Sequence, residues 1–372
     1  MKKLILFLFT TVVLSSCSSD SSEGQKDKYD RGAILQNWAD NIIMPSLQNY
    51  NTQLAALKTA QSAFTAAPNE TTLTDLRAKW LDAYKAYQHV AMFNIGKSEE
   101  IQFTKYANTY PTDASLIDSK IASGNTNIEG PGNDVAQGFP ALDYLLFGLA
   151  DNPAGTVEFY TTNTNAVNYK NYLTAVTDKL LAISATVFND WKNGFKAGFI
   201  SKTDNTSAGS VNKMVNAYVQ FYEKEVRTGK VGIPAGKFSS TPLPEKVEGF
   251  YSKIYSQQLL IEGLKASQNF FNGTHFGKQT SGASLKSYLD FLGKKGDNEN
   301  AALMLSDLMN NQFIASATAI GQMMPNLYQQ VLTDNNKMLM SFDAMQRNVA
   351  YMKTDMVSAM SISINYADTD GD

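Results

Sequence analysis

Among the 372 residues there is one cysteine, Cys17, and there are two histidines, His89 and His275. A lone cysteine excludes an internal disulfide framework. Two histidines leave few candidates for a histidine-rich metal centre or a Ser-His-Asp triad. Neither sign of charge is in excess: 32 Lys and Arg stand against 35 Asp and Glu, a formal net charge of -3. That balance offers no basic field to a phosphate backbone, so no nucleic-acid partner is expected. Strand-like alternation is scarce, and Ser361-Ile362-Ser363-Ile364-Asn365-Tyr366 is its best short candidate. What the chain does have is apolar content. With 43% hydrophobic and 18% charged residues, it can build one or two domains with real cores and is too apolar for general disorder.

The N-terminus carries the most specific local signal. Met1-Lys2-Lys3 is a short positive segment, and Leu4 to Leu14 is apolar apart from Thr10 and Thr11. The run is too short for a stable transmembrane helix and suits the hydrophobic region of a secretory signal. Leu14-Ser15-Ser16-Cys17 resembles a bacterial lipobox, in which small residues precede a cysteine that is acylated and becomes the new N-terminus. Residues 1–17 are therefore expected to be a lipoprotein signal peptide and Cys17 the lipid attachment site. Each buried methylene of the acyl chains adds about 0.8 kcal/mol, so multiple acylation anchors firmly. Residues 18–30 are polar and read as a flexible tether. The expected location is the bacterial cell envelope, at the outer membrane, with the membrane itself a partner.

Helical periodicity dominates the rest. Leu35, Trp38 and Ile42 recur at spacings of three and four, and Pro45 predicts a kink or break. After Pro68-Asn69, a start signal, Leu73, Leu76, Trp80, Tyr84 and Tyr87 repeat the pattern. Further stripes run through Tyr172, Val176, Ile183, Val187 and Trp191, and through Val211, Met214, Tyr218 and Tyr222. The 14 methionines and the aromatic excess fall mostly at helical spacing and read as core filling. Gly- and Pro-rich segments over 108–137 and 227–244 predict long irregular connections. A boundary near 202–210 divides the body into two helical bundles, 31–203 and 204–372. The expected fold class is all-α.

Gly138-Phe139-Pro140-Ala141-Leu142-Asp143-Tyr144-Leu145-Leu146-Phe147-Gly148 resembles the signature of the imelysin family, also called the M75 peptidase-like or iron-regulated protein A group. That signature reads G-x-H-x-x-E, then an aromatic, two leucines, an aromatic and glycine. Trp80 with Tyr87 and Gly96, Tyr110-Pro111-Thr112-Asp113, the run from Glu225 to Gly236, and Glu245-Lys246-Val247-Glu248 are similar, in order, to other family segments. The resemblance implies two helical bundles with the signature near their junction, and an envelope protein linked to iron or haem acquisition. It also brings a peptidase label. This chain departs from the signature at its chemical positions. Pro140 stands for the histidine and Asp143 for the glutamate, while Ala91 and Tyr84 replace an acidic and a basic position upstream. A cation needs several converging oxygen or nitrogen ligands, and Pro140 has no donor nitrogen. No bound metal, no cofactor and no catalytic residue are therefore expected.

Candidate pocket residues are Tyr84, Gly138, Pro140, Asp143, Arg227 and Lys230. Asp143 reads either as a polar group of a remodelled pocket or as a helix residue satisfied by arginine or backbone donors. Pro140 fits the first turn of a helix starting near Gly138. Arg227 and Lys230 among glycines could hold an anionic small molecule; the alternative is solvated charges on a loop packed by Ile233 and Pro234. His89 and His275 read as hydrogen-bonded structural histidines rather than ligands. Asp368-Thr369-Asp370-Gly371-Asp372 opens like a calcium loop but lacks the later ligands. The leading functional expectation is a non-catalytic, lipid-anchored envelope binding protein, with envelope transport proteins as further partners. A metal-dependent peptidase-type hydrolase and a structural or adhesive surface lipoprotein are the alternatives.

Overall fold

The computed structural model describes residues 28–297 and 300–366. The signal expected over 1–17, Cys17, most of the tether and the acidic run from Asp368 lie outside the described residues. Those described form helices joined by turns and coil, with two isolated bridges, Thr274 to Ser281 and Lys295 to Met304, and no strand. None of the described helices is long and apolar enough to cross a membrane.

Local chemistry sets the helix starts. The side chain of Asn69 accepts from the Thr72 backbone N–H at 3.0 Å, and the Thr72 hydroxyl oxygen accepts from the Asn69 backbone N–H at 3.2 Å. This reciprocal cap opens the Glu70–Gln88 helix, whose inner face buries Leu73, Leu76, Trp80, Tyr84 and Tyr87. Asp113 caps Ala114–Ala122 in a similar way, through Leu116 N–H at 2.9 Å.

Two local expectations fail for identifiable reasons. Pro45 breaks nothing. The Arg31–Asn37 helix passes through a π-helical segment, Trp38–Ile43, into Met44–Ala66. Pro45 falls just after the π-helical segment, and the Asn41 carbonyl four residues back, which it cannot engage, accepts instead from Phe276 N–H at 2.8 Å. The expected loop over 227–244 is also too long by half a dozen residues, because Phe221–Gly232 is a π-helix. Its glycines permit close packing rather than turning the chain. A Cβ on Gly232 would stand 2.6 Å from the Phe342 ring, and one on Gly229 would stand 3.0 Å from the Tyr110 hydroxyl.

The short strand expected over 361–366 is irregular. A lone segment with no sheet edge beside it cannot form a ladder. Instead Asn216 holds it, donating to the Ser363 carbonyl at 3.0 Å and accepting from Asn365 N–H at 2.9 Å.

Met44–Ala66, Glu70–Gln88 and Ala166–Asp190 pack together in the first half, and Phe221–Gly232, Leu305–Gly321 and Leu327–Ala350 in the second. The apolar core runs continuously through both. Two elements carry it across. Ser256–Asn272 packs on Glu70–Gln88 as well as on Leu305–Gly321, and Trp38 stacks on Phe270 with ring centroids 4.8 Å apart. This crossing brings the signature segment against the chain around Glu248.

Candidate functional site

The signature segment begins at a position only glycine can fill. Gly138 has φ +74°, and a Cβ there would lie 2.3 Å from the Ala107 carbonyl oxygen. The Gly138–Asp143 helix follows, with Pro140 in its first turn, and gives way to a π-helical turn over Tyr144–Gly148. Asp143 is buried and points at the Gly249–Ser252 turn. Its Oδ2 accepts from Tyr251 N–H at 2.8 Å and its Oδ1 from Ser252 N–H at 2.9 Å. Burial raises the carboxyl to about 7, outweighing these bonds, and the nearby Glu248 charge pushes the same way.

A second buried carboxylate lies behind it. Glu248 accepts from the Lys230 ammonium, from Asn108 Nδ2 at 2.8 Å and from Gln88 Nε2 at 3.2 Å. The Lys230 stem runs past Gly263, where a Cβ would stand 3.5 Å from the Lys230 Cε, an ordinary packing contact. Tyr84 donates its hydroxyl hydrogen to Asn108, and its ring stacks on Phe139 at 4.4 Å. Glu225 completes the group. Burial lifts its carboxyl to about 7 against the pull of Lys230, with Glu248 adding repulsion. In the sequence, Glu225 and Glu248 stand out only as parts of the family resemblance. Their one local signal is that each carboxylate sits within an apolar or Gly-rich run.

Two cavities border this centre and share Tyr110. One, of about 200 Å³, is lined by Pro140, Asp143, Phe250 and Tyr251. The other, of about 270 Å³, is lined by Lys105, Lys224, Glu225 and Lys230. Of the predicted pocket residues, Pro140 and Asp143 therefore meet in the first, and Lys230 borders the second. Gly138 and Tyr84 are buried and line neither.

The expectation that Arg227 and Lys230 together cradle an anion is corrected. Arg227 is buried, 3.8 Å from Glu223 and 4.7 Å from the centre of the Phe342 ring. Lys230 turns the other way and bonds Glu248. Residues three apart share a face of an α-helix, but the wider turn of a π-helix separates them.

The residues of the centre do not fit a divalent cation. Both Asp143 oxygens already accept backbone donors, and an ammonium and two amides engage Glu248. Among the described residues, no group of three or more His, Cys, Asp or Glu side chains is placed to hold a metal ion. What the arrangement can do is fix two cavity walls and present two carboxyls, Asp143 and Glu225, that burial pushes up to about 7.

An all-helical chain whose halves meet at a buried polar centre, with a G-x-x-x-x-D turn beneath it, defines the class. The family model for imelysin, peptidase family M75, matches residues 43–344, and the chain belongs to that family. The fold is similar to that of an imelysin-like protein from Psychrobacter arcticum 273-4, at 16% identity and TM-score 0.68, covering 90% of this chain and 97% of that one. It is also similar to a protein described as an iron-regulated protein A precursor from Parabacteroides distasonis ATCC 8503, at 18% identity and TM-score 0.73, covering 91% and 97%. No curated protein matches the sequence.

Proposed function

We propose that the protein is a non-catalytic binding protein of the imelysin family, tethered to the cell envelope through acylated Cys17 and serving iron-linked uptake. The observation that carries the non-catalytic part is the state of the polar centre. A metal-dependent hydrolase needs a cation with an open coordination position. Here the Asp143 oxygens bind the Tyr251 and Ser252 amides, and Lys230 supplies the positive charge beside Glu248. An ammonium has three donors and no vacant orbital, so it can neutralise a carboxylate but cannot polarise a carbonyl as a metal does. The link to iron rests on the family and on the similarity to the Parabacteroides distasonis protein described as an iron-regulated protein A precursor. The membrane tether rests on the Leu14-Ser15-Ser16-Cys17 sequence.

Metal analysis of protein purified from iron- and zinc-supplemented cells tests this reading, with Asp143→Ala beside the wild type. Sub-stoichiometric metal in both is expected, with no chelator-sensitive cleavage of a fluorogenic peptide library. One equivalent of metal that disappears in Asp143→Ala, or peptide cleavage abolished by chelator, overturns it. A thermal-shift screen against haem, ferric siderophores and inorganic anions addresses the ligand. A ligand present at 100 times its dissociation constant adds about 2.7 kcal/mol of stability.

A further inference from the structure

We infer that the cavity between the Thr274–Gln279 loop and the segments around Ile42 and His89 binds a small organic carboxylate with an aromatic body. This site is separate from the polar centre, and the inference does not depend on the binding function proposed there.

The cavity measures about 440 Å³ and brings together both histidines of the chain, His89 and His275. That volume lies within the range of small-molecule sites. Its floor rests on the buried Ile42, Met92, Phe93 and Phe270, and the half-buried Phe276 offers an aromatic face. Ser46, Asn269, Thr274 and Gln279 add polar groups. Phe93 and Phe270 are buried, their ring centres 5.9 Å apart, and Trp38 backs Phe270. The charged side chains that line it are of one sign: Lys265 and Lys278 are there, and no carboxylate is. Neither lysine forms an ion pair among the described residues.

One acidic group lies close behind. Glu262 sits 3.0 Å from His89 Nε2, and its carboxyl is held below the usual range by His89 first, with Lys265 and Lys85 adding to the effect. Lys278, also in the lining, is not among the groups acting on Glu262, so the mouth keeps an excess of positive charge. The His89–Glu262 contact also orients the imidazole, whose edge meets the Phe276 ring at 5.7 Å.

The loop is held in place by the chain itself. Phe276 N–H donates to the Asn41 carbonyl at 2.8 Å, and His275 N–H to Thr280 at 2.8 Å. The buried Asn37 amide donates to the carbonyls of Gly273 at 3.2 Å and Ala283 at 3.0 Å, pinning both ends. A wall fixed in this way pays little ordering cost on binding. The combination selects for a particular chemistry. An inorganic anion would leave the aromatic face unused, and a neutral aromatic would leave the lysines unused. An aromatic carboxylate uses both, its ring against the half-buried Phe276 and its charge toward Lys265 and Lys278.

Isothermal titration calorimetry with 4-phenylbutyrate, its amide and inorganic phosphate tests the inference on the purified full chain. Saturable one-to-one binding of the carboxylate is expected, with at least about tenfold weaker binding of the amide, as loss of a charge-assisted contact implies. The double variant Lys265→Ala/Lys278→Ala changes two exposed side chains and should keep the wild-type melting temperature while losing about tenfold or more in affinity. Lys105→Ala/Lys224→Ala, at the other lysine-lined cavity, should bind as wild type. The inference is overturned if no saturable binding occurs at millimolar carboxylate, or if amide and carboxylate bind alike. It is equally overturned if phosphate alone reproduces the heat, if the Lys265/Lys278 variant is unaffected, or if the Lys105/Lys224 control loses as much affinity.

Discussion

Replacing Lys230 by methionine tests whether the ammonium is the internal counter-charge of the polar centre. The side chains of Lys230 and Glu248 are only 3% and 2% exposed. Removing one partner of a buried ion pair typically costs about 3–5 kcal/mol, because the remaining charge stays buried without compensation. Here Glu248 would keep two amide donors, Asn108 at 2.8 Å and Gln88 at 3.2 Å. Methionine also keeps an unbranched apolar stem beside Gly263. The loss should therefore sit at the lower end, about 3 kcal/mol. Urea unfolding of the wild type, Lys230→Met, Glu248→Gln and the double variant completes a cycle that isolates the pair. The double variant should recover more than half of the Lys230→Met loss, since it buries no lone charge. A Lys230→Met loss below about 1 kcal/mol, the range of an exposed pair, would refute the assignment. So would a double variant no more stable than Lys230→Met.

Three further outcomes follow, two from the geometry and one from the Leu14-Ser15-Ser16-Cys17 sequence. Asp143 has its folded-state pKa raised from 3.8 to about 7, so its neutral form is the one the fold prefers. The stability this confers is complete below the unfolded value and is lost as pH rises through about 7. At most about 4 kcal/mol is involved, at 1.36 kcal/mol per unit. The melting temperature of the wild type should therefore fall relative to Asp143→Asn between pH 4 and pH 8, and parallel curves would remove the buried-carboxyl account. Gly138→Ala should cost at least about 2 kcal/mol, combining positive φ with a clash against the Ala107 carbonyl; thermal unfolding within error of wild type would show that the turn relaxes freely. Cys17→Ser should abolish incorporation of labelled palmitate and release the protein from the membrane fraction, and continued labelling would place the acyl group elsewhere.

The sequence by itself determined the helical class, several helix starts and the family. These follow from local physics. A 3.6-residue period needs only hydrogen bonds between near neighbours and one buried face, so Leu73, Leu76, Trp80, Tyr84 and Tyr87 announce their helix without reference to the rest of the chain. The Asn69–Thr72 cap is equally local. The signature glycine at 138 was legible as a motif residue, although the Ala107 carbonyl that excludes any side chain there was not. Only the tertiary structure decided which polar groups meet. Lys230 lies three positions from Arg227, yet the π-helical turn sends one toward Glu248 and the other toward Glu223. Glycines 229 and 232 imitate loop signals, because close approach and chain reversal both call for a missing side chain. Glu248 joins Gln88 and Asn108, and His89 shares a cavity with His275, across the continuous core that links the two halves. Pairings between residues so far apart in sequence leave no periodicity, since they depend on how whole helices dock rather than on the spacing of residues within one.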